Sequence, residues 1–312
     1  REKGAKRKML ATPAAKPMKI ARFTESGRTR LGVVEGDFVV DLSAIDPLLP
    51  SDMATLLELC TESLESRVAR AHGRSDKLPL ASVRLEAPLA RPPKILAVGL
   101  NYADHIRETG AAPPTIPIIF NKQSTSVVGP GAPILIPPES AAVDYEGELA
   151  VVIGRRCRRV PRDRAAAVIA GFTICNDVSV RDWQRRTPTM TMGKSWDSHC
   201  PLGPWIVTID EIPDPSRLEL VTRVNGEVRQ RANTREMIFD CFALVEHLST
   251  AFTLEPGDVI STGTPAGVGG ASQPPRWLVP GDTVAIRIQG IGELSNPVVA
   301  ESSATGVEPS AA

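Results

Sequence analysis

The chain is 312 residues long and carries 36 Lys+Arg against 36 Asp+Glu, a formal net charge of zero. With 42% hydrophobic and 23% charged residues it has the composition of a folded globular protein, not a disordered one. Neutrality leaves no cation surplus for nucleic acid or for an anionic membrane surface, and no apolar run reaches the ~18 residues of a membrane helix.

In chain order, residues 1–17 begin basic and continue as an Ala/Pro stretch, which reads as a disordered or tag-like tail. Met18–Phe23, Leu31–Val34 and Phe38–Leu42 are short β-rich runs separated by Ser26-Gly27 and Glu35-Gly36-Asp37. Helical stretches follow at Met53–Leu59 and Ser63–Ala71. Together these make residues 18–92 a small N-terminal α/β domain, closed by a linker at Pro88, Pro92 and Pro93. Residues 93–301 form the larger domain, and 302–312 a disordered tail.

In the larger domain strands dominate. Ile95–Val98, Ile116–Phe120, Ala132–Ile136, Glu148–Ile153, Phe172–Val178, Trp205–Ile209, Leu218–Val224, Asp258–Thr262 and Thr283–Ile288 have strand character. Asn225-Gly226 between β-branched runs predicts a hairpin. Helices are expected over Pro161–Ala170, with Gly171 as its C-cap, and over Thr234–Ala251. Strands and helices do not alternate regularly, so a doubly wound sheet is excluded in favour of a mainly antiparallel, curled β-structure. The five scattered cysteines contain no C-x-x-C pair and fit reduced thiols in a cytoplasmic protein.

Some familiar motifs fail. Gly193-Lys194-Ser195 ends like a P-loop, but Pro188 stands where the first glycine is required. His199 and Cys200 are adjacent in an extended segment, so their side chains diverge and do not form a dyad.

Three stretches carry chemistry. In Val143-Asp144-Tyr145-Glu146-Gly147-Glu148 the two glutamates are two apart at the start of a strand, which puts both carboxylates on one face. Like charges this close need a cation or a proton between them. Asp177, ending another apolar strand, would complete an oxygen site for a hard divalent ion, Mg²⁺ by preference, with Mn²⁺ or Ca²⁺ as substitutes. Such paired glutamates can also simply line a solvated edge. In Gly99-Leu100-Asn101-Tyr102 to Gly110, Asn101 is an N-cap candidate and Gly110 a stop. His105 and Glu108 then share a helix face, so the carboxylate can orient the imidazole as a general base. The plainer alternative is a surface helix pair. Lys194 and Gln184 could stabilise an anionic intermediate, and Thr264 in the glycine-rich Thr262–Gly269 run could hold a substrate carboxylate.

Six collinear motifs now stand together: Gly-Leu-Asn-Tyr…His-x-x-Glu, Asp-Tyr-Glu-Gly-Glu-Leu, Asn-Asp-Val-Ser-x-Arg-Asp, Gly-Lys-Ser, Cys-Pro-Leu-Gly-Pro-Trp and Thr-Gly-Thr-Pro-x-Gly-Val-Gly. In this order, over about Lys94–Val299, the chain resembles the fumarylacetoacetate hydrolase family. The resemblance implies an α+β, mainly β fold: a mixed β-sandwich roll, with a small N-terminal α/β domain as in many bacterial members. It implies Mg²⁺ or Mn²⁺ on Glu146, Glu148 and Asp177, a catalytic dyad of His105 and Glu108, and an active-site Lys194. Tyr102, Lys122, Gln184 and Thr264 are the expected substrate contacts, and a homodimer is expected.

One departure stands out. Some acylpyruvase-type relatives carry arginine where this chain has Leu100, so a substrate carboxylate needs another partner among Arg107, Lys122 and Arg181. The expected reaction is metal-dependent hydrolysis of a carbon–carbon bond in a small anionic 2,4-diketo acid, releasing pyruvate. The alternatives are decarboxylation or isomerisation of a 2-oxo or 2-hydroxydienoic acid on the same scaffold, or a non-enzymatic metal or sugar-acid binder.

Overall fold

The structure, a computed structural model, describes residues 18–59, 69–71, 73–212 and 214–302. The expected tails fall outside this range, apart from residue 302, and so does most of the helix expected at Ser63–Ala71.

The N-terminal strands are β1 (Lys19–Glu25), β2 (Arg28–Glu35) and β3 (Phe38–Asp41), followed by helices α1 (Leu42–Ile45) and α2 (Met53–Leu59), then β4 (Leu78–Pro79) and β5 (Arg84–Glu86). The larger region opens with β6 (Ile95–Gly99), α3 (Ala103–Thr109), β7 (Ile118–Lys122), β8 (Val127–Val128), β9 (Ile134–Ile136), β10 (Val143–Asp144) and β11 (Gly147–Ile153). It continues with β12 (Ile169–Asn176), β13 (Ser179–Val180), α4 (Arg181–Gln184), α5 (Thr191–Lys194), β14 (Cys200–Thr208), β15 (Glu219–Val224) and β16 (Glu227–Asn233). Helix α6 (Cys241–Ala251), β17 (Val259–Ser261), β18 (Thr283–Ile288) and β19 (Gly292–Ala300) complete it.

A 12-stranded sheet runs β4-β3-β2-β1-β14-β12-β11-β17-β6-β7, with β5 and β8 at its sides. A 5-stranded sheet, β16-β15-β18-β19-β9, packs against it. Most pairings are antiparallel, but β6 with β17, β8 with β14 and β9 with β19 run parallel, so the fold is mainly β with mixed sheets. The small N-terminal domain is not a separate bead on a linker. Its β1 pairs with β14 (Lys19↔Val207, Ile20↔Ile206) and extends the large sheet.

Both faces of the central strands are covered. Along β11, Leu149, Val151 and Ile153 join the core shared with the smaller sheet and α6. Ala150 and Val152 point the other way, into a core shared with Met18, Ile20 and Leu31. A strand buried on both sides needs a continuous apolar run, which Leu-Ala-Val-Val-Ile supplies. The predicted hairpin joins β15 and β16, with Asn225 and Gly226 at φ 51° and 81°.

Three local expectations are corrected. The helix expected over Pro161–Ala170 is a 3₁₀ run, Arg162–Val168, and Ile169 and Ala170 already belong to β12. Gly171 is therefore no helix cap. It sits where β12 crosses β14, and a Cβ there would come within 2.1 Å of the Val207 carbonyl oxygen. The helix expected from Thr234 begins only at Cys241, where Asp240 caps it through Ala243 N–H at 2.8 Å. Before it, Thr234–Glu236 forms a single 3₁₀ turn, and the helix does not run on because Ile238 N–H and Phe239 N–H donate to the backbone and side-chain oxygens of Asn101, both at 2.8 Å. Asn101 is thereby occupied and does not cap α3, whose N-cap position is Tyr102 with no side-chain bond. Gly110, at φ 68°, ends α3 as expected.

Candidate active site and metal centre

Helix α3, the loops after β6 and β17, the start of β11 and the segment from α4 to α5 line a cavity of about 800 Å³, a volume suited to a small molecule. His105, Glu108, Glu146, Glu148, Arg181 and Lys194 line it.

Helix α3 presents the dyad. His105 Nδ1 and Glu108 Oε2 are 2.9 Å apart, so one carboxylate oxygen holds one ring nitrogen and leaves Nε2 free of that bond. The other oxygen, Oε1, accepts Gly267 N–H at 2.8 Å, which anchors the dyad to the glycine-rich loop. Gly267 has φ 102°, and a Cβ on it would meet the Arg229 carbonyl oxygen at 2.0 Å, so only glycine fits.

Glu146, Glu148 and Asp177 are all buried, and one carboxylate oxygen from each lies within 4.8 Å of the others. The pairing of β11 with β12 (Gly147↔Asn176) brings Asp177 beside the two glutamates. Lys194 Nζ bridges Glu146 Oε2 at 2.6 Å and Asp177 Oδ2 at 2.8 Å. Arg181 Nη1 reaches Glu146 Oε1 at 2.6 Å. Glu148 instead accepts Ser261 Oγ–H at 2.6 Å and Gly263 N–H at 2.8 Å.

The electrostatics divide the carboxylates. Burial works against the Glu146 charge, but Lys194 and Arg181 outweigh it and hold the carboxyl well below its usual range. Glu148 lacks such a partner. Burial first, then the Asp177 and Glu146 charges, push its pKa well above the carboxylate range. Four buried carboxylates (Asp144, Glu146, Glu148, Asp177) face three buried cations (Lys122, Arg181, Lys194). This donor set fits a hard divalent cation: it is all oxygen and convergent, and Glu148 is left short of positive charge.

The other expected residues divide by position. Gln184 and Thr264 line the cavity. Gln184 Oε1 accepts Arg181 Nη1–H at 3.0 Å, and Thr264 accepts Gln230 Nε2–H at 2.8 Å. Lys122 and Tyr102 lie behind the wall. Lys122 Nζ is buried on Asp177 Oδ1 at 2.7 Å. The Tyr102 hydroxyl is buried with no hydrogen-bond partner among the described residues, and burial, then the Glu148 charge, raise its pKa well above normal. Of the three candidates to replace the Leu100 arginine, only Arg181 lines the cavity, and it is already tied to Glu146 and Asp144.

His199 and Cys200 diverge as expected. The His199 ring pairs with the Leu135 carbonyl oxygen at 2.7 Å, while Cys200 Sγ faces Cys175 Sγ at 3.6 Å.

The sequence reading overlooked Asp144, although strand parity places it on the face of Glu146 and Glu148. Its carboxylate accepts Gly269 N–H at 2.7 Å and Gly270 N–H at 2.9 Å, both from the glycine-rich loop. It also overlooked Arg185 and Arg186, which line the cavity beside Gln184. Their only sequence signal was the adjacent arginine doublet.

Comparison with known proteins agrees with this geometry. The family described as Fumarylacetoacetate (FAA) hydrolase C-terminal matches residues 94–299, and the one described as Rv2993c-like, N-terminal matches residues 18–88. The mitochondrial oxaloacetate tautomerase fahd2 of Xenopus laevis is 41% identical over 300 residues, 94% of each chain. The structure of 2-hydroxyhepta-2,4-diene-1,7-dioate isomerase from Mycobacterium marinum has a TM-score of 0.73 at 38% identity, covering 92% of this chain and 100% of that one. Maleylpyruvate hydrolase from Sphingobium sp. SYK-6, in complex with manganese(II) ion and pyruvate, has a TM-score of 0.77 at 35% identity, covering 91% and 100%. These relatives are enzymes: a tautomerase, an isomerase and a hydrolase. Matched over two thirds of its length by the C-terminal family and over most of the remainder by the N-terminal one, the chain belongs to the fumarylacetoacetate hydrolase family.

Proposed function

We propose that this protein is a divalent-metal-dependent tautomerase or isomerase of 2-oxo acids, interconverting enol and keto forms of an oxaloacetate-like substrate. The observation that carries the reading is a single oriented base, His105 with Glu108, opening on the same cavity as Glu146 and Glu148 of the buried acidic trio. Moving a proton between carbon and oxygen needs one base and a way to hold an enolate, and no covalent nucleophile. The similarity to the Xenopus laevis oxaloacetate tautomerase and the Mycobacterium marinum isomerase supports this over the hydrolysis expected from the sequence.

Glu146, Glu148 and Asp177 would hold Mg²⁺ or Mn²⁺, which supplies Lewis-acid polarisation of the 2-oxo group and charge for an enolate oxygen. His105 carries the proton to and from the carbon next to the oxo group. Glu108 keeps the imidazole turned toward the cavity. Lys194, between Glu146 and Asp177, favours the ionised form of Glu146 and adds positive charge to the cavity wall where the enolate forms.

A second reading, hydrolysis of a diketo acid, draws support from the maleylpyruvate hydrolase neighbour. In that case His105 would activate water instead of taking a carbon-bound proton.

The deciding experiment mixes enol-rich oxaloacetate with the Mg²⁺-loaded protein and follows the loss of enol absorbance. Acceleration without pyruvate or CO₂ release is expected. Pyruvate release from acylpyruvates with no acceleration of the enol–keto step would overturn the proposal in favour of hydrolysis. The free thiols of Cys175 and Cys200, unjoined at 3.6 Å, support a reducing, cytoplasmic setting. A homodimer rests on the family resemblance. Among the described residues no helix is long and apolar enough to cross a membrane.

A further inference from the structure

The charges lining the cavity are not evenly satisfied. Inside, Glu146 is paired with Arg181 and Lys194, and Glu108 with His105. On the segment between α4 and α5, Arg185 and Arg186 also line the cavity and are solvent-exposed. Among the described residues neither guanidinium has a carboxylate within salt-bridge distance. The acid next to them in sequence, Asp182, is turned away and accepts Ser140 Oγ–H at 2.6 Å. Two adjacent cations therefore face the cavity with their charge unspent.

Arg186 is also held in place. Its guanidinium carbon lies 3.7 Å from the centroid of the Trp183 ring. Trp183 is itself fixed edge-on against Trp196, with centroids 5.0 Å apart at 86°. A stacked guanidinium keeps its in-plane N–H donors free for a carboxylate while losing little further freedom on binding.

We propose that Arg185 and Arg186 form the receptor for the second, distal carboxylate of the substrate. The inference rests on the oxaloacetate-like reading above and adds the residues that recognise the far end of such a dicarboxylate. It also accounts for Leu100. With no arginine there and Arg181 committed to Glu146 and Asp144, the free cations of the site lie on the α4–α5 segment. A substrate with its 2-oxo acid end at the acidic trio and a carboxylate at its far end would be anchored at both ends. A monocarboxylate of equal length would leave the arginine pair unmatched.

The test measures binding rather than turnover, by calorimetry on the Mg²⁺-loaded full chain. 2-Oxoglutarate is compared with 2-oxopentanoate, which differs only in lacking the distal carboxylate. 2-Oxoadipate and 2-oxohexanoate repeat the comparison one methylene longer. In at least one pair the wild type should favour the dicarboxylate by tenfold or more. Arg185→Ala and Arg186→Ala should each cut that preference at least threefold, and the double variant should abolish it. Both side chains are exposed, and unchanged thermal melts should show the variants folded.

Equal affinity for both members of each pair, a preference that survives the double replacement, or no binding of any of the four acids would overturn the inference. Clear dicarboxylate preference without acceleration of the oxaloacetate enol–keto step would overturn the tautomerase reading alone. A working tautomerase with no such preference would overturn the arginine receptor alone.

Discussion

Arg181 and Asp144 form a buried ion pair: Arg181 Nε donates to Asp144 Oδ2 at 2.9 Å, and Nη2 lies 2.8 Å from the same oxygen. The same guanidinium continues through Nη1 to Glu146 Oε1 at 2.6 Å. On its other side Asp144 gathers the amides of Gly269 and Gly270. One buried carboxylate thus couples the glycine-rich loop to the acidic trio through a single arginine. Desolvation opposes the Arg181 charge, but Glu146 and Asp144 more than offset it and raise its pKa above the ordinary arginine value.

Replacing Asp144 by Asn should therefore damage the site without touching its ligands. The amide leaves Arg181 short of a counter-charge, and breaking a buried pair costs about 3 kcal/mol. Urea unfolding should register that loss. Tautomerase activity should fall at least tenfold as Arg181 and the loop lose their shared anchor.

Glu148→Gln should remove the ligand that, among the described residues, has no cationic side chain beside it, and whose charge burial and the Asp177 and Glu146 carboxylates disfavour. Wild-type protein should bind Mn²⁺ tightly and melt at higher temperature with Mg²⁺, since a ligand that binds only the folded state stabilises it. The variant should lose both effects. Treatment of the wild type with a chelator should reproduce the variant's loss of activity.

His105→Ala and Glu108→Gln separate chemistry from metal binding. Loss of a general base costs about 10²–10⁴-fold in rate, so kcat should fall by that order for His105→Ala. Glu108→Gln, which keeps the shape of the side chain, should lower kcat by a smaller factor. Mn²⁺ affinity should be unchanged within twofold in both. Joint loss of activity and Mn²⁺ binding would show that the dyad holds the metal site instead of moving a proton.

His199 gives a pH prediction. Burial lowers its pKa to about 4 from 6.5, so it is neutral in the folded protein. The unfolded chain takes up a proton as pH falls through about 6.5, while the native state does not until about 4. Stability is therefore complete above pH 6.5 and declines between 6.5 and 4, by about 3 kcal/mol at most from this residue. His199→Gln, whose amide can donate to the Leu135 carbonyl without titrating, should flatten that part of the stability profile measured by urea unfolding.

Much of the site was legible because it is local. His105 and Glu108 meet because a helix repeats every 3.6 residues, and Glu146 and Glu148 share a face because a strand alternates every two. Asp177 could be named as a third ligand from its place at the end of an apolar strand, but what sets it beside the glutamates is the β11–β12 register. The helix boundaries near Gly171 and Cys241 were misread for the same kind of reason. Apolar Ile169–Cys175 suits a helix or a buried strand equally, and packing between β11 and β14 chose the strand. Asn101, a good cap by type, was claimed instead by Phe239, 138 residues away.

The sequence by itself determined the identity of the chemistry: three carboxylates, one imidazole with its partner, and a lysine, in an order that marks a family. Those are properties of residue type and short spacing. The tertiary structure decided how each charge is spent. It put Lys194 between Glu146 and Asp177, left Glu148 without a cation, and tied Arg181 to Asp144 and Glu146. It also set Lys122 and Tyr102 behind the wall and turned Arg185 and Arg186 toward the cavity. Charge pairing depends on distance and burial, and both are set by contacts between segments far apart in the chain.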